Sequence, residues 1–149
     1  MKLFLLLLML VFFILIGVCV YKFYSVRHSL YADMVYICKS LKNNISFSKD
    51  NIKEILNSNI INLKFTTRKI LNSLDSSNIF LKNDDREIID KFFSSLGKGN
   101  VDYEINNITY HENNFENLKE QALFDLKNKG LLYMKLIIIL GLVFFILLI

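Results

Sequence analysis

The side chains best suited to acid–base, nucleophilic or metal chemistry are few in this chain of 149 residues, which has two histidines and two cysteines. His28 and His111 lie far apart in sequence. His111 adjoins Glu112, but a metal site on a helix wants partners one turn away, and Asn107 and Phe115 supply none. Asp84, Asp85 and Glu87 form a carboxylate cluster that could imitate an acid–base pair. Their place at the start of an apolar periodic run makes them helix-start residues, favoured there by the helix dipole. Gly97-Lys98-Gly99-Asn100 is too short for a phosphate loop and lacks the Lys-Ser/Thr ending. Tyr110 and Phe115 read as core contacts rather than a base-stacking platform. No catalytic, cofactor-binding or metal-ligating set is predicted, and the chain reads as a non-enzyme.

The elements around these residues are set by an uneven composition. The chain holds no proline, 53% hydrophobic residues and a mean hydropathy of +0.36. Absence of proline favours long helices, which proline would break. The hydrophobicity is concentrated at the two ends. Leu3 to Val20 is uncharged over 18 residues, 15 of them Leu, Ile, Val or Phe. At 1.5 Å per residue it extends roughly 27 Å, close to the hydrocarbon thickness of a bilayer. It is longer than the apolar core of a signal peptide and no A-x-A-like site follows, so it reads as an uncleaved transmembrane helix. Leu131 to Ile149 is a second span with one charge, Lys135. Lys22, Tyr133 and Lys135 are expected to anchor the spans at the headgroup level.

Charge next to the spans predicts the side of the membrane. Lys22, Arg27, Lys39 and Lys42 follow the first span, and Lys119, Lys127, Lys129 and Lys135 lead to the second. The intervening domain is therefore expected in the cytoplasm, with both termini at the far face. Cys19 and Cys38 then need no disulfide in a reducing compartment. The triplets Asn44-Ile45-Ser46 and Asn107-Ile108-Thr109 would stay unglycosylated there. Residues 21–130 carry 16 basic and 14 acidic side chains, which gives no nucleic-acid signal.

The periodicity of the middle is helical throughout. The fold expected is all-α: a transmembrane helix over 1–21, a cytoplasmic helical bundle over 22–130 and a transmembrane helix over 131–149. Tyr24 to Leu41 should continue the first span without a break, and Ile45 to Phe47 should form a short connection. Ser48 is expected to cap a helix through Ile52, Ile55, Leu56, Ile60 and Leu63. Thr66 or Thr67 should cap the next, Asp75 to Asn78 should turn, and Asp84 should cap a helix whose core face is Ile88, Ile89, Phe92, Phe93 and Leu96. Gly97 should end that helix and Asn100 should cap the next, a long one through Ile105, Ile108, Phe115, Leu118, Ala122 and Leu126. Gly97, Gly99 and Gly130 are the expected breaks or hinges.

This layout resembles the stage III sporulation protein AB family of endospore-forming bacteria. The matching features are Leu96-Gly97, the charged helix Glu116 to Lys129, and Tyr133-Met134-Lys135-Leu136 followed by Gly141-Leu142. Tyr24, Arg27 and Leu30 fit the family's membrane-exit segment. Leu41 to Ile45 fits its Leu-x-x-Glu-Ile stretch with Asn44 in place of the glutamate. Glu104, Ile137 and the lack of a proline after Phe47 are further departures. The resemblance implies a part of the channel between mother cell and forespore, similar to the F-type inner-membrane platform proteins of type II secretion and type IV pilus systems. It implies the mother-cell membrane around the forespore as location. Its implied partners are the operon's ATPase, other membrane subunits of the complex and membrane lipids, and it admits a homo-oligomer.

Two other classes fit less well. A membrane sensor with a ligand-binding bundle between two spans would place the bundle outside and follow the second span with an output domain. A holin-like pore would need a polar stripe along its spans.

Overall fold

The structure, a computed structural model, describes residues 2–48, 63–64, 66–68, 70 and 82–148. It is all-helical over these residues. Helix α1 is Lys2–Ser48, α2 is Asn83–Ser95 and α3 is Val101–Asp125. A π-helical turn, Leu126–Gly130, leads from α3 into α4, Leu131–Leu148. Two helices are long and apolar enough to cross a membrane, over Phe4–Ile45 and Val101–Leu148. Residues divide into two compact units, Met1–His28 with Glu120–Ile149, and Ser29–Lys119.

In the first unit the start of α1 runs antiparallel to α4, and glycines set how near they come. A Cβ on Gly141 would lie 2.7 Å from Phe13 Cβ. One on Gly17 would lie 3.3 Å from the Met134 carbonyl oxygen. One on Gly130 would lie 3.2 Å from Tyr24 Cβ. Small residues let helices approach where lipid gives no hydrophobic drive for association. Phe13 and Phe144 stack beside Gly141, with ring centroids 6.0 Å apart. The other faces turn outward: Phe4, Leu5, Leu8, Phe12, Leu136 and Ile139 are all exposed, as in a helix apolar all round.

In the second unit the later part of α1 buries Leu30, Tyr31, Met34, Ile37, Cys38 and Leu41. Their three- and four-residue spacing is a helical stripe. It packs with Ile89 and Phe92 of α2 and with Ile108 and Phe115 of α3, all fully buried. Gly97 adopts a φ of 78°, the left-handed residue just after the α2 C-cap Leu96. Asn100 Oδ1 accepts from the Tyr103 amide at 2.9 Å, so Asn100 caps α3 as its sequence predicts.

Three local expectations are corrected. Ile45 to Phe47 are no connection: α1 continues through Ser48, and Ile45 is buried. Ser48 thus ends a helix, and the helix it was expected to cap from Ile52 falls outside the described residues, as does the turn Asp75 to Asn78. Thr66 and Thr67 lie inside a helical segment rather than before it. The Arg68 amide donates to the Lys64 carbonyl, which places the helix start at Lys64. Asp84 is not a cap either, because α2 begins one residue earlier with Lys82 in the cap position. Asp84 and Asp85 still lie in the first turn, where the dipole favours them.

The Gly141 contact generates a test. Gly141→Leu is expected to destabilise the helix pair by about 1–3 kcal/mol, the usual cost of overpacking. Thermal unfolding in detergent should show a lowered Tm, while Leu140→Ala, at an outward position, should leave it unchanged.

Candidate functional site

The chemistry-bearing side chains of the second unit are built inward from its helices. Glu112 of α3 is buried and faces two lysines of α1. Lys42 Nζ donates to Oε2 at 2.6 Å, and Lys39 Nζ stands 3.9 Å from Oε1. Lysines at positions 39 and 42 share a helix face, so one carboxylate meets both. Cys38 lies fully buried on the same helix. Burial, and secondarily the Glu112 charge, push its thiol up to about 12, with Lys42 opposing in part. This thiol is inert at neutral pH.

A second polar contact joins α1 to α2. Tyr31 is fully buried, and its hydroxyl donates to Asp85 Oδ1 at 2.5 Å. A third lies at the helical segment after Lys64. Asp33 Oδ2 accepts the Lys64 amide at 3.0 Å and the Thr67 hydroxyl at 2.6 Å. Asp33 therefore caps from another helix the segment that Thr66 or Thr67 was expected to cap. A fourth organises the glycine loop. Glu104 Oε1 accepts the amides of Lys98 at 2.8 Å and Gly99 at 3.0 Å, reaching back as in a capping box. A Cβ on Gly99 would press on the Tyr103 ring. Asn107 Nδ2 fixes the end of α2 by donating to Ser95 Oγ at 2.9 Å.

Around these contacts sits an aromatic cluster. Phe92 meets Phe115 edge to face at 5.4 Å and His111 at 5.2 Å. Tyr31 lies 6.2 Å from Phe115. His111 Nδ1 has no hydrogen-bond partner among the described residues. Burial holds its imidazole below the usual histidine range.

What this arrangement does is position helices. Asp33, Asp85, Glu104 and Glu112 each accept from a donor on another element or loop. Among the described residues, no three His, Cys, Asp or Glu side chains gather where a metal ion could sit. Lys22, Tyr133 and Lys135 all project outward from the first unit. In that unit Asp125 pairs with Arg27 Nη1 at 3.3 Å and with Lys129 Nζ at 2.7 Å. Gly97 and Gly99 lie in the loop between α2 and α3. Gly130 closes the π-helical turn, is buried, and is followed by α4 with no gap in helical backbone.

Sequence reasoning missed Tyr31, Asp33 and the separate role of Asp85. A signal existed for Asp85: it falls four and seven residues before Ile89 and Phe92, on the core face, whereas Asp84 does not. Tyr31 had the same signal, three and seven residues before Met34 and Cys38, but not its partner, 54 residues away; Asp33 had none, its partner segment beginning 31 residues away.

The fold and its contacts define a protein that is all-helical over the described residues, with two apolar helices of membrane-spanning length. Residues 65–149 match the model of the family described as stage III sporulation protein AB, and the chain belongs to that family. The family is not a known enzyme family, and it suggests a role in stage III sporulation. No curated protein and no solved structure matches the chain.

Two predictions follow from the buried groups. In a Cys19→Ser background, native Cys38 should resist maleimide at pH 8 and react fully in denaturant, as read by mass spectrometry. His111 gives a pH dependence. The folded chain resists protonating it, so below about pH 6.5 the unfolded chain binds a proton that the folded chain binds less well. Stability should fall as pH drops from about 6.5 toward 5, and His111→Gln should flatten that slope in thermal scans at the two pH values.

Proposed function

We propose that this chain is a non-enzymatic membrane platform subunit of the complex joining mother cell and forespore. Its two apolar helices anchor it in the mother-cell membrane around the forespore. Its polar helical unit forms a cytoplasmic bundle that docks the ATPase of the same complex. The observation carrying this reading is a family match on a chain in which, among the described residues, the buried carboxylates Asp85, Glu104 and Glu112 serve helix-to-helix or loop contacts. The lysines and arginine next to the apolar stretches support the cytoplasmic side. The family's likeness to F-type platform proteins supports an ATPase as partner.

Full-length chain in detergent should retain the sporulation ATPase in a pull-down or cross-link to it. Failure of both would remove the docking role. Cysteines placed at Glu87 and Asn113 should be protected from impermeant reagents in intact cells, and labelling from outside would overturn the topology.

A further inference from the structure

The outward face of α3 has an unusual composition for a solvated helix. Tyr103 and Tyr110 are 53% and 68% exposed. Asn106, Asn113 and Asn117 are exposed between and beyond them. These five residues follow at intervals of three, four, three and four. That is the seam spacing of a coiled coil, with tyrosine or asparagine at one seam position and asparagine at the other. The seam carries no charge from Tyr103 to Asn117. The opposite face of the same helix is spent on the core through Glu104, Ile108, Glu112 and Phe115.

We infer that this face is a self-association surface, on which a second copy of the chain lays its own α3 in parallel. Three properties select that occupant. An asparagine amide donates and accepts, so an amide seam is complementary to itself, and asparagines at seam positions fix register and partner. An uncharged seam meets no repulsion from its own copy. The edges then choose the direction. One edge of the seam carries Asp102, Thr109 and Glu116, and the other carries the amide of Asn114 beyond Asn107, whose Nδ2 is given to Ser95. Parallel packing sets the acidic edge of each copy against the amide edge of the other. Antiparallel packing would set acid against acid. Copies inserted through the same two apolar helices also share one orientation, which is the parallel one. Confinement to a membrane raises their effective concentration, so a seam of this size suffices there without a large apolar core.

The test is cross-linking of the full chain in bacterial membranes, in a Cys19→Ser background with the shielded Cys38 retained. Asn106→Cys, Tyr110→Cys and Asn113→Cys should each give a disulfide-linked dimer under mild oxidant. Lys91→Cys on the exposed side of α2 should not. Adding Asn113→Glu to Asn106→Cys puts like charges in the seam and should abolish the dimer while Cys38 stays protected. The inference is overturned if none of the three positions cross-links, or if only one does, as an antiparallel or crossing pair would give. It is equally overturned if Lys91→Cys cross-links as well as the seam, or if Asn113→Glu leaves the yield unchanged. The ATPase takes no part, so the outcome is independent of the docking reading.

Discussion

A peptide group in hydrocarbon has no water to bond, so every backbone donor and acceptor of a spanning segment must be satisfied within the segment. The absence of proline from the chain fits that demand on two apolar helices of spanning length. It permits α1 to run 47 residues without an interruption, well beyond the apolar stretch that first requires it. The side chains of the apolar stretch are then free to pack, and glycines set how near the helices come. Gly17, Gly130 and Gly141 each stand where a Cβ would press on the facing helix. Aromatic rings fill the space so opened, Phe13 against Gly141 and Tyr24 against Gly130.

The polar unit solves a different problem. Asparagine, of which the chain has 16, is a middling helix former, and many surface positions add little intrinsic helicity. Apolar burial must hold the helices, but apolar contact is non-directional and leaves register loose. Register comes from polar pairs that reach between elements, the buried Tyr31 with Asp85 and the half-buried Lys42 with Glu112 and Asp33 with Thr67. A charged group taken out of water is costly unless a partner meets it, so each pair penalises any slip of one helix along another. The aromatic cluster of Phe92, His111 and Phe115 sits among these pins, with Phe92 and Phe115 fully buried.

Legibility in the sequence followed the same division. Properties that depend on neighbours within a turn or two could be read. The apolar ends, the core stripe of α2, the left-handed Gly97 and the Asn100 cap all belong to that class, because their causes are local. The family resemblance was also legible, since its features are concentrated in the later half of the chain. Properties set by distant residues could not be read. Thr67 has the side chain of a cap, but Asp33, 34 residues earlier, claims its hydroxyl. Ile45 looked like part of a connection because Asn43, Asn44 and Ser46 surround it, yet its own burial keeps α1 helical there. Local propensity lost to tertiary contact in both places.

Gly130 shows how a local signal can be right about place while saying little about form. Glycine before an apolar run reads as a break, and the backbone does depart from α geometry there, as a π-helical turn over Leu126–Gly130. The reason lies in spacing. Ile108, Phe115 and Ala122 are buried at intervals of seven, but the next buried residue of this strand of chain is Gly130, eight further on. Eight residues overshoot two α turns by most of a residue. One α turn followed by one wider π turn takes up about eight, so the extra residue is absorbed and Gly130 returns to the side that Ala122 occupies. A glycine is needed at that point because Tyr24 approaches it to within Cβ contact, not because the helix must stop. The ion pairs of Asp125 with Arg27 and Lys129 bracket the turn and hold the re-phased helix against α1.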